Sequence, residues 1–501
     1  MPYAGSRGRL FSLYPRLIFV LVLVATEFAS GHAEIVLEEI DASEFLEPSL
    51  SQLCDEIGPR LPGTAGMSVA VDWAVEQLQD AGVDTVGLEP FPGPQSWREG
   101  RTRVEALSPV PFDIVAVATG WSPPTSPRVL RALLLAAGNG SEGDITGLGV
   151  RAAGKILLVE LAEANSFYGL GVEQRQAIIA MREAGRVNAA GVLFASTRPN
   201  RLLYRHVHTV TGSLDPVPSA VATREDALRL SRLLEAGHEV ELLMSLTNKV
   251  GPEITGQNVV AEIQGTDLAE EIVILGAHLD SWDLGSGCLD NGVNVVLTIE
   301  AARAIAASGS RPRRTIRFVL FGAEEQGLFG SRGYVRTHRE ELDNVTAVVV
   351  HDMGVGRVEG YALHGRHELE KGLRAAMKPI SRSGATRHTT DAFFGSDHFD
   401  FLLEGVPVLV AIQDTGDYYQ TYHSAADTLD KLDVSDVRKA TRIAAATVYG
   451  LANLPERLGK RFSRKEISRQ LDSTGMDEQL KFLGLWEQWE SGERGREIPT
   501  N

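Results

Sequence analysis

The stretch Glu271-Ile-Val-Ile-Leu-Gly-Ala277, followed by His278-Leu-Asp280-Ser-Trp-Asp-Leu-Gly-Ser-Gly-Cys-Leu-Asp290-Asn-Gly292, decides how this chain folds. A short apolar run reads as a buried strand, and the Gly- and Asp-rich segment after it reads as a loop. A helical pattern then runs from Val293 to Ala307. Further strand-like runs lie at Thr315–Phe321, Asn344–His351 and Val406–Ile412, and a second helix-like run lies at Val437–Leu451. Such alternation predicts an α/β fold, a mostly parallel mixed sheet sandwiched by helices, over residues 247–455.

Working outward, residues 34–105 read as the first part of the same domain. They carry helical patterns at Ser49–Ile57 and Ala65–Ala81, a loop Gly58–Gly63, and a strand at Val83–Pro90. Residues 106–246 differ. Short apolar runs punctuated by Gly and Pro predict a smaller β-rich α/β insert. Residues 456–501 are charged and read as a tail, with an exposed helix over Lys465–Gly492. At the other end Arg7, Arg9 and Arg16 precede the apolar run Leu17–Ala25. Small residues then set up cleavage after Gly31 or Ala33, so residues 1–33 read as a signal peptide. The rival is an uncleaved anchor, but the run is short for a membrane span. The expectation is a secreted or periplasmic protein without stable membrane insertion.

The chain has 501 residues, 43% of them hydrophobic, enough for two or three domains. A formal charge of −17 excludes ordinary binding to a nucleic-acid backbone. The two cysteines, Cys54 and Cys288, form no disulfide framework and can pair or stay free.

Acidic and histidine residues recur at or just beyond the predicted strand ends: His278, Asp280 and Asp290, then Glu324-Glu325, then Asp352, then His423. In open α/β sheets that edge is where ligands bind. Each residue alone has a bland reading, as a helix cap or a solvated surface group. Together, His278, Asp290, Glu325, Asp352 and His423 suit two ions such as zinc, with Asp290 bridging. Glu324 is then free to act as a base.

The chain resembles the two-zinc aminopeptidase family, in its plasma glutamate carboxypeptidase (carboxypeptidase Q)-like branch. The matching stretches are His278 to Asn291, Gly322-Ala-Glu-Glu-Gln-Gly-Leu-Phe-Gly-Ser331, His351-Asp-Met-Gly354, Gly395-Ser-Asp-His398, His423-Ser424 and Ile57-Gly-Pro-Arg-Leu-Pro-Gly-Thr64. The insert is similar to a protease-associated domain. The resemblance implies a zinc-exopeptidase fold and two Zn2+ ions. One would be held by His278, Asp290 and Asp352, the other by Asp290, Glu325 and His423. It implies that the Asp280 carboxylate orients His278 by taking its second ring N–H; Asp427 is placed to do the same for His423. Tyr422 is the candidate donor to a tetrahedral oxyanion, with Tyr418 and Tyr419 as alternatives. The implied substrates are dipeptides or short peptides, and the implied assembly is a homodimer. Rival functions are an amidohydrolase on N-acylated amino acids, a glutaminyl cyclase-like transferase and a non-catalytic receptor-like relative. The intact ligand set argues against the last two. Which terminus of the substrate is read stays open, with Arg357 and Arg366 as candidates for a free carboxylate.

Overall fold

A computed structural model describes residues 31–498, apart from Ser126, Arg128, Asn165, Val355 and Asp417. The expected signal sequence lies almost wholly outside the described residues. Residues 31–42 form a helix that buries Ala33, Val36 and Ile40. Among the described residues no helix is long and apolar enough to cross a membrane.

The first sheet has seven strands, in the order Thr85–Arg98, Lys249–Ile263, Arg314–Phe321, Leu268–His278, Val345–Val350, Val408–Gln413, Val358–Ala362. The four strands from 314–321 to 408–413 run parallel, and the pairings toward both edges are antiparallel. The inner strands read as unbroken apolar runs because helices cover both faces. On one face Ala65–Asp80, Val293–Ala307 and Val434–Ala452 pack into a core with Val273, Leu275 and Phe318. On the other, Phe329–Thr337 and His398–Leu403 pack with Ile274, Val319 and Val348.

The C-terminal segment corrects the expectation of an exposed tail. Arg464–Thr474, Met476–Phe482 and Trp486–Ser491 are helices, and they bury Ile467, Leu471, Leu480, Leu485 and Trp489 against that second face. Their charge made them look solvated. Their apolar residues, at helical spacing, face the core. Ser463 and Glu466 form a capping box at the first of these helices. Arg494 closes the segment with a buried ion pair to Asp400, at 2.8 and 2.9 Å.

Residues 102–246 build a second, eight-stranded sheet, in the order 112–114, 102–108, 241–246, 130–136, 156–160, 191–195, 219–222, 116–118. The chain leaves the first sheet after Arg98 and re-enters it at Lys249, where the two crossings touch. A Cβ on Gly100 would lie 2.0 Å from the Thr247 carbonyl oxygen, so only glycine fits there. Cys54 and Cys288 are paired, with a Cα–Cα distance of 5.4 Å. The bond fastens the N-terminal helical segment to the loop that carries Asp290.

Candidate active site

Register decides where the chemistry sits. His278 pairs with Phe321, and Gly276 pairs with both Val319 and Val350. The three parallel strands therefore end level, and the residues just beyond them meet at one edge. His278, Asp290 and Asp352 form one group whose ligand atoms lie within 4.8 Å of one another; Asp290, Glu325 and His423 form another. The His278 Nε2 lies 2.9 Å from Asp352 and 3.2 Å from Asp290. The His423 Nε2 lies 2.9 Å from Glu325 and 3.3 Å from Asp290. Asp290 thus presents one oxygen to each histidine.

These donors fit zinc. Both imidazoles turn a nitrogen toward buried carboxylates, and the Glu325 Oε1 is buried without a hydrogen-bond partner. Burial drives the Glu325 carboxyl up to about 7, with Asp290 adding to the rise and His423 opposing it. Burial pushes Glu324 well above the usual carboxylate range as well, with Asp352 and Glu325 adding to the rise. So many buried carboxylates around two imidazoles call for divalent cations.

Residues 258–448, which hold His278, Asp290, Glu324, Glu325, Asp352 and His423, match the model for peptidase family M28. That region belongs to peptidase family M28. Carboxypeptidase Q of Bos taurus is 29% identical over 411 residues, 82% of this chain and 85% of its own. The crystal structure of a peptidase M28 precursor from Shewanella amazonensis superposes with a TM-score of 0.78 at 29% identity, over 87% of this chain and all of that one. A zinc aminopeptidase from Bacillus subtilis shares the fold, with a TM-score of 0.64 at 24% identity over 81% of this chain and 94% of that one. The chain is a metallopeptidase.

Around the peptidase centre, two carboxylates act differently from expectation. The His278 Nδ1 lies 3.0 Å from the backbone carbonyl of Asp280, whereas the Asp280 carboxylate is 3.8 Å away. That carboxylate instead accepts the backbone N–H groups of Glu324 and Glu325, at 3.0 and 3.3 Å. It holds the turn that presents Glu324 and Glu325, and Ala323 in that turn has φ +55°. Asp427 likewise misses the His423 ring. It accepts the N–H groups of Leu289 and Asp290, at 2.6 and 3.2 Å, and so fixes the loop that carries Asp290.

Two further positioning residues lie inside the quoted motifs. Trp282 donates its indole N–H to Glu325 Oε2 at 2.8 Å. Arg60 is fully buried and donates to the carbonyls of Gly58, Leu279, Ser286 and Gly287, at 2.6–2.9 Å. Burial lowers its pKa to about 10, opposed by Asp427, Asp280 and Asp290.

The centre opens into a cavity of about 670 Å³. Its walls come from three separate parts of the chain: the insert (Leu170, Ile178, His206, Val210), the 391–395 loop (Phe393, Phe394) and the C-terminal helices (Met476, Phe482). Among its described lining residues, the only charged side chains apart from the ligands and Glu324 are Arg175 and Asp391. Tyr418 and Tyr422 line it too, and the Tyr422 ring stacks on His423 with centroids 3.6 Å apart. Tyr419 does not line it. Arg366 is buried among Glu368 and the carbonyls of Gly405 and Lys460, and the exposed Arg357 pairs with Glu359; neither lines the cavity. His398 holds the 391–395 loop through the Phe393 carbonyl at 3.1 Å. His206 and the C-terminal wall had no signal in the sequence, because each reaches the site only through packing.

Proposed function

We propose that this chain is an exported two-zinc exopeptidase that hydrolyses dipeptides or the terminal bond of short peptides. The observation that carries this reading is the pair of triads sharing Asp290, with Glu324 beside them, at the floor of a walled cavity. The similarity to carboxypeptidase Q and to a zinc aminopeptidase supports the exopeptidase class.

His278, Asp290 and Asp352 would hold one zinc, and Asp290, Glu325 and His423 the other. Bound there, the ions supply Lewis acidity that activates a water and polarises the scissile carbonyl. Glu324 takes a proton from the attacking water as the new C–O bond forms, and gives it to the leaving amine as the C–N bond breaks. Burial suits it to this exchange, because a raised pKa makes the carboxylate a stronger base. Asp280 keeps Glu324 and Glu325 in register with each other. The apolar walls exclude water and favour substrates with apolar side chains.

The test is a panel of free dipeptides with N-acetylated and C-amidated counterparts, each with and without a zinc chelator. Cleavage that needs a free N-terminus, stops with chelator and returns with zinc makes the enzyme an aminopeptidase or dipeptidase. Cleavage that needs only the free carboxylate makes it a carboxypeptidase. A zinc-loaded chain that cleaves only N-acylated amino acids is an amidohydrolase, and one that cleaves nothing overturns the reading.

A further inference from the structure

His206 belongs to the insert, yet it stands at the metal centre. The neighbouring Tyr204 forms an antiparallel bridge with Ser424, and the Arg205 N–H donates to the His423 carbonyl at 2.9 Å. The His206 carbonyl in turn accepts the Gly120 N–H at 3.0 Å. A Cβ on Gly120 would lie 2.5 Å from the Trp282 ring, so the insert sits directly on the side chain that holds Glu325. The Arg205 guanidinium donates to the Ala118 carbonyl at 3.0 Å and forms ion pairs with Glu99 and Asp283. Residues 204–206 are therefore clamped on the loop of one metal ligand. The His206 and His423 rings have centroids 4.9 Å apart.

The hydrogen bonds of His206 define its proton. The Val207 backbone N–H donates to His206 Nδ1 at 2.8 Å. A backbone N–H can only donate, so Nδ1 carries no hydrogen and the proton of the neutral ring sits on Nε2. That Nε2 is buried and has no hydrogen-bond partner in the protein, and the residue lines the substrate cavity. An unpaired buried donor is unfavourable, because it has given up its hydrogen bond to water without gaining another. Such groups persist where a ligand or reaction intermediate satisfies them.

The geometry points to His206 as a catalytic residue whose Nε2–H donates to the substrate carbonyl oxygen as it gains negative charge, on the side of the centre formed by Asp290, Glu325 and His423. This deepens the two-zinc peptidase reading and rests on it. The insert is then part of the catalytic machinery as well as a wall.

The experiment compares wild type, His206→Ala and His206→Gln, all zinc-loaded. It measures zinc content, kcat and KM on a cleaved dipeptide, and the affinity of a phosphinic dipeptide analogue of the tetrahedral intermediate by calorimetry. In His206→Ala, kcat should fall about 10²-fold, as for loss of one oxyanion donor, with KM and zinc content nearly unchanged. Phosphinate affinity should fall in parallel with kcat, while affinity for the product amino acid stays constant. In His206→Gln, whose amide can donate from a similar position, part of both losses should return. An alanine variant with kcat within about threefold of wild type overturns the inference, because a lost oxyanion donor costs far more. So does loss of zinc or of folding in both variants, which would make His206 a support for the His423 loop. If wild type itself cleaves no peptide, the failure belongs to the peptidase reading and not to His206.

Discussion

The two sheets contribute to the same site in different ways. The first sheet delivers the candidate ligands from the level ends of parallel strands: His278, Glu325 and Asp352 lie within four residues of a strand end that an apolar run announces, and Asp290 and His423 follow in the loops, twelve and ten residues on. The second sheet delivers one histidine and one wall from loops and a helix with no such announcement. The comparison teaches that metal chemistry here is a property of strand register, whereas substrate surroundings are a property of docking between distant segments. The clamp at Arg205 is where these two contributions are tied together.

The comparison breaks most visibly at Asp290. Asp290→Ala removes the carboxylate shared by both triads. Zinc content by atomic absorption should fall to near zero and peptidase activity to background. An active, zinc-loaded variant would mean that the triads do not share this ligand. Glu324→Gln separates proton transfer from metal holding: kcat should drop about 10²–10⁴-fold with zinc content intact. Retention of kcat would transfer the base role to another group.

Arg205→Met tests the link between the sheets. It strands Glu99 and Asp283 beside a buried methionine, and truncating one partner of such a buried network costs about 3 kcal/mol. Denaturant unfolding should show that loss, and kcat should fall as the insert shifts off His423. Unchanged kcat would make the insert a passive wall. A smaller effect is expected at Phe482, whose ring lies 3.7 Å beneath the Arg175 guanidinium at the cavity rim. Phe482→Ala should raise KM several-fold, equivalent to about 1 kcal/mol of lost apolar contact, and leave kcat alone.

The smallest effect lies away from the centre. Burial lowers the pKa of His338, but Glu341 and Glu89 overcome it and raise it to about 9. Its unfolded value is about 6.5, so its stabilising contribution is complete below that pH and is lost as pH rises through about 9. In His338→Gln the fall of Tm across that window should be shallower than in wild type. Equal slopes would remove His338 from the pH response.

Much of the fold was legible because burial imposes pattern. The expected helix Val293–Ala307 is the observed one, and the strand expected at Thr315–Phe321 gains only Arg314. The strand Lys249–Ile263 was missed, since its exposed first half, with Gly251 and Pro252, breaks the apolar run. The C-terminal helices were misread as exposed because their charged residues outnumber the few that pack. At the centre, the residue types and their places after strands were readable. The partners of Asp280 and Asp427 were not, because a carboxylate two or four residues from a histidine has backbone amides within equal reach.

By itself, the sequence determined the parallel core, the ligand types and the strand ends that bear them, since local periodicity and side-chain chemistry are enough for those. Only the tertiary structure decided that Asp280 holds a turn instead of a ring, that Asp427 fixes the loop of Asp290, and that His206 stands beside His423. Those are relations between segments tens to hundreds of residues apart. They arise from packing and register, which no local pattern encodes.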